Sequence, residues 1–174
     1  MAVKTNSELA AFFNTGDQPS ETEFGHLIDT IQPPHITLGD ENKSLTVADH
    51  AFRPLIMPNI AGARTLTLPT AEADVWFHII HNPMVAEAGG HNLNIKSTDN
   101  TNWFSGTILS VDSDNNTTAA VFANVSATPA SGDDDVISLI TSSGCDIWIW
   151  GKSATVWYVW GWATSVTQIT ATNA

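Results

Sequence analysis

Phe24-Gly-His-Leu-Ile-Asp-Thr-Ile-Gln-Pro-Pro-His-Ile-Thr-Leu38 holds the one change of periodicity in the chain. Before Pro33-Pro34, apolar residues recur at helical spacing: Leu9, Phe12 and Phe13, then Phe24, Leu27, Ile28 and Ile31. After it, apolar runs are short and divided by Gly, Asn, Asp and Pro through to the C-terminus. The prolines stop the helix, because Pro33 pushes Gln32 out of the helical region. The reading is an N-terminal helical arm over residues 1–34 and a β-module over residues 35–174.

Upstream, Ser7 can cap a first helix that runs to about Phe13. Asn14-Thr-Gly-Asp17 reads as a turn. Ser20-Glu-Thr-Glu23 is a capping box, with the Ser20 hydroxyl on the Glu23 amide and the Glu23 carboxylate on the Ser20 amide. Helices this short are marginal alone in water. Their apolar faces must bury against the β-module, against each other or against another protein. Phe12, Phe13, Phe24, Leu27 and Ile28 are therefore candidate partner-binding residues.

Downstream, the candidate strands are Ile36–Leu38, Ser44–Ala48, Leu55–Met57, Thr65–Leu68, Val75–His81, Asn92–Lys96, Thr107–Val111, Ala119–Val125, Val136–Thr141, Ile147–Trp150 and Thr155–Trp162. Short strands at roughly 8–12-residue spacing predict an antiparallel, jelly-roll-like β-sandwich or barrel. Pro58, Pro69 and Pro83 fall at strand ends, where a missing amide is tolerated. No helical pattern follows residue 35, which argues against a parallel βαβ architecture.

The last third is aromatic. Trp148, Trp150, Trp157, Tyr158, Trp160 and Trp162 lie on two adjacent runs joined by Gly151-Lys-Ser-Ala154, which reads as a hairpin. If Trp148 and Trp150 share a face with Trp157, they form a cross-strand aromatic ladder. Tyr158, Trp160 and Trp162 then alternate onto the opposite face. A strand with large apolar groups on both faces is a central core strand, or it offers one face to a partner or a sugar. The expectation is that Trp157 enters the core while Trp160 or Trp162 makes an inter-subunit contact.

Composition narrows the function. The chain has 174 residues, 43% of them apolar, enough for a real core. Its net charge is −12, from 18 acidic and 6 basic residues, which disfavours nucleic acid and anionic membranes. Cys145 is the only cysteine and reads as a structural thiol, since no basic partner is in sight to lower its pKa. The start shows no secretory signal, so Asn42, Asn116 and Asn124, though in glycosylation sequons, read as turn residues. His78 and His81, three apart on a strand, point to opposite faces and do not grip one metal. Asp112-Ser-Asp-Asn-Asn116 opens like a calcium loop, but Thr117 replaces its glycine. Asp133-Asp-Asp135 reads as a solvated turn. Glu72 and Asp74 face the same way in an extended segment, in the manner of a glycosidase pair, with nothing else in support. The expectation is no enzyme, no cofactor and no metal.

Several segments carry a resemblance. Asn14-Thr-Gly-Asp-Gln-Pro-Ser-Glu-Thr-Glu-Phe-Gly-His-Leu-Ile-Asp29 resembles a helical opening of virion structural proteins of tailed bacteriophages. Leu45-Thr-Val-Ala-Asp49, Arg64-Thr-Leu-Thr-Leu-Pro69, Val75-Trp-Phe-His-Ile-Ile80, Asp135-Val-Ile-Ser-Leu139 and Ile147-Trp-Ile-Trp-Gly151 follow in an order similar to capsid decoration (cement) proteins and to phage-fibre domains. The resemblance implies a non-enzymatic part made in a bacterial cytoplasm. It implies a homo-oligomer, a trimer foremost, seated on major capsid protein at the virion surface. The rival it implies is a tail-fibre or receptor-binding module for host glycans.

Overall fold

The computed structural model describes residues 20–31, 34–81, 91–98, 101–112, 121–125, 135–140, 142–165 and 169–172. The expected helix to Phe13, with Phe12, and the segments 113–117 and 133–134 lie outside these residues. Helix α1 (Glu21–Ile31) opens on the capping box. The Glu23 amide donates to Ser20 Oγ at 3.3 Å, and the Ser20 amide donates to Glu23 Oε2 at 2.6 Å. The hydrogen bonds from Ser20, backbone first, hold the Glu23 carboxyl below the usual carboxylate range.

The β-module is mainly β, in two mixed sheets. Six strands alternate between the sheets: β1 (Ile36–Thr37), β3 (Pro54–Met57) and β5 (Trp76–His81) in one, β2 (Lys43–Ser44), β4 (Arg64–Thr67) and β6 (Leu93–Lys96) in the other. Within each sheet successive strands run parallel, with Leu55 opposite both Ile36 and Ile79, and Leu66 opposite Lys43 and Ile95. The chain thus winds as a flattened coil. Then β9 (Val136–Leu139) lies antiparallel on β6, and β10 (Ser142–Gly151) antiparallel on β5, closing both growing edges. Strand β11 (Val156–Ser165) pairs antiparallel with β10. β7 (Trp103–Asp112) lies parallel to β11, and β8 (Val121–Val125) antiparallel to β7. β12 (Thr170–Thr172) edges β9.

The expectation of antiparallel, jelly-roll-like pairing is corrected here. Five of the ten ladders among the described residues are parallel. Parallel neighbours need a long crossover, usually a helix. In four of the five the crossover carries one strand of the facing sheet, and in β7–β11 it runs through β8, β9 and β10, so no βαβ helix is required. The Ser44–Ala48 strand is also corrected. Val47–His50 forms a one-turn helix, α2, whose Thr46 hydroxyl accepts the Asp49 amide at 3.2 Å. Asn42 lies in the connection directly before β2, its Oδ1 accepting the Thr65 amide at 2.9 Å.

One core lies between the sheets. Leu55, Phe77, Ile79, Phe104, Ile108, Ile147, Ile149, Trp157 and Val159 from the first meet Leu66, Leu93, Ile95, Ile137 and Leu139 from the second. Alternation along β10 and β11 sends every second residue inward. Trp157 is fully buried and packs edge-on against Phe77 at 5.7 Å between centroids. Cys145 is buried too, and burial pushes its thiol up to about 12, which keeps it protonated and inert.

Candidate functional site: an aromatic sheet face

The residues that alternate outward on β5, β10 and β11 build one face of the seven-stranded sheet. Its register sets them in cross-strand rows. Ile80, Asp146 and Trp162 form one row, His78, Trp148 and Trp160 the next, and Trp76, Trp150 and Tyr158 the third. The aromatic ladder therefore corrects the conditional reading of the faces. Trp148 and Trp150 lie with Tyr158, Trp160 and Trp162, while Trp157 is alone on the inner face opposite Gly151. The cause is the register across the hairpin, which sequence alternation leaves open.

The rings brace one another. His78 stacks on Trp148 at 4.0 Å with planes 14° apart, and Trp160 stacks on its other side at 6.0 Å and 8°. Trp76 leans on Trp148 at 5.3 Å, Phe52 meets Trp76 edge-on at 6.0 Å, and Tyr158 tilts against Trp160 at 5.7 Å. His78 Nε2 lies 2.8 Å from Asp146 Oδ1, which fixes that ring. Trp148 thus has a ring on each face and is unavailable for stacking. Trp150, Tyr158, Trp160 and Trp162 remain 46%, 41%, 36% and 45% exposed. Together they leave apolar surface on the order of 300 Å² open. That is less than half of one side of a standard protein interface, about 800 Å². It matches the apolar centre of such an interface rather than the whole.

At one end of the face, a groove of about 320 Å³ is lined by Asp74, Trp150, Gly151, Lys152 and Tyr158. The loop before β5 makes its wall. Asp74 adopts φ 67, its amide donates to Gly151 O at 3.0 Å, and the Gly151 amide donates to Val75 O at 2.7 Å. A Cβ at Gly151 would lie 1.7 Å from Glu72 O, so only glycine lets the loop sit this close. The left-handed turn at Asp74 ends the extended segment on which the Glu72–Asp74 pairing depended.

Of the other expected contacts, Phe24 is 50% exposed on α1 and Leu27 is half-buried. Ile28 lies in the same helix, and Phe13 outside the described residues. His78 and His81 take opposite faces as read, the first beside Trp148, the second buried. Among the described residues no three His, Cys, Asp or Glu converge as ligands, and no helix is long and apolar enough to cross a membrane. Asp74 and Lys152 were missed as a set because only the fold brings them together. No protein-family model matches the chain, and comparison with curated proteins and with solved structures gives no significant match.

Proposed function

We propose that the chain is a non-enzymatic structural protein of a tailed-phage particle that docks through the outer aromatic face. The observation that carries this reading is four exposed rings set in register on one rigid sheet. Rings already locked against each other lose little side-chain freedom on binding, which favours a permanent contact. The resemblance supplies the partner, major capsid protein, with a homo-oligomer such as a trimer as the docking unit and Phe24 of α1 as a second contact. The acidic surface, net −12, suits a basic patch on that lattice. Replacing Trp160 and Trp162 with Ser should leave the β-sheet circular dichroism intact, shift sedimentation toward monomer and reduce co-sedimentation with shells of the parent particle. An unchanged oligomer that still decorates shells would refute the docking role of this face.

A second reading is favoured by the groove. Aromatic walls with one carboxylate and one ammonium fit a glycan better than a protein ridge, as in a receptor-binding module. Immunogold labelling of the particle separates the two, over the shell for decoration or at the tail for attachment.

A further inference from the structure

We propose that the groove between Trp150 and Tyr158 binds one neutral pyranose unit of a glycan, an inference that rests on the second reading above. The C–H face of a pyranose is weakly positive and complements the negative face of an indole or phenol ring. Its hydroxyls both donate and accept hydrogen bonds, and the groove holds an acceptor-only carboxylate at Asp74 and a donor-only ammonium at Lys152. Both side chains are exposed, and among the described residues neither joins an ion pair, so both are open to ligand hydroxyls. A volume of about 320 Å³ is at the small end for ligand sites, which suits a single ring unit rather than a peptide segment. Lys152 argues against a cationic ligand caged by the aromatics. The chain's net charge of −12 argues against an anionic sugar.

The site is also preorganised. Tyr158 is backed by Trp160, and Trp160 by Trp148. Asp74 holds a backbone conformation that non-glycine residues seldom take, fixed by its bond to Gly151 O.

The test is a printed array of neutral hexose and hexosamine oligosaccharides, with uronate and sialylated ones alongside, probed with the full chain. The intact protein should bind at least one neutral glycan. Trp150→Ala and Tyr158→Ala should abolish that binding, and Asp74→Asn should weaken it about tenfold, the loss of a charged acceptor. Asparagine tolerates the left-handed turn, so Asp74→Asn keeps the fold if the substitution at Trp150 does not. Glu41→Gln, exposed and outside the groove lining, should bind unchanged. Binding kept in both Trp150→Ala and Tyr158→Ala would refute this site and leave the glycan reading standing. Binding to acidic glycans alone would refute the neutral ligand. No binding to any glycan would overturn both the site and that reading.

Discussion

Trp157 is the bulkiest side chain fully buried among the described residues. It packs on Phe77, and among the described residues its indole Nε1 has no hydrogen-bond partner. Trp157→Ala removes the largest buried side chain and should cost about 3–5 kcal/mol, read as a large drop in the denaturation midpoint. Trp157→Phe should cost less, because it keeps much of the ring and removes the unpaired N–H, whose burial costs roughly 1–3 kcal/mol. A Phe variant as unstable as the Ala variant would show that the indole N–H does have a partner. Cys145 offers a second check. With its thiol raised to about 12, it should resist alkylation in the native state near pH 8 and react readily in denaturant. The inward place of Trp157 was legible because alternation along a strand separates it from Trp160 and Trp162. The neighbours across the strand were not, since they depend on which residue faces Gly151.

At the level of elements, the strands themselves were legible and their directions were not. Alternating apolar residues look the same in a parallel and an antiparallel strand, so the coil from β1 to β6 left no local mark. Helix α2 did leave one. Thr46-Val-Ala-Asp49 is a capping pattern, yet Leu45 and Val47 read as strand alternation, and the tertiary fold chose the cap. The groove was illegible because Asp74 and Gly151 meet only when β10 lies on β5. The β10–β11 hairpin carries its own prediction. Gly161 takes φ 147 between Trp160 and Trp162, and a Cβ there would lie 2.1 Å from Asp146 O. Gly161→Ala should therefore destabilise the protein by at least ~1–3 kcal/mol and disturb the outer aromatic rows. A near-ultraviolet circular dichroism spectrum and a melting midpoint like those of the parent would show that the strand absorbs the methyl group.

For the whole molecule, acid is the informative stress. His50 and His81 are buried, and burial, the largest cause in each, lowers both imidazole pKa values below the ordinary histidine range. Asp49 and the His50 bond with the Thr46 backbone work against that shift at His50, while Lys43 and Arg53 add to it. A bond with the Pro58 backbone opposes it at His81. The folded state then holds these rings neutral, whereas the unfolded chain protonates them below about pH 6.5. The unfolded state binds more protons in that window, so stability rises with pH through it and falls as pH drops. Full stability is present above about pH 6.5, and the loss begins below it, before the carboxylates titrate. Asp40 adds a later, separate loss, because the hydrogen bond from Arg64 beside it lowers its carboxyl below the usual range. Denaturation midpoints measured between pH 8 and pH 4.5 should therefore be flat at first, then fall from about pH 6.5 downward. Replacing His81 with Phe should remove part of the early slope and leave the carboxylate part. A midpoint constant down to pH 5 would show that neither buried histidine is held neutral, and the account of this core would have to change.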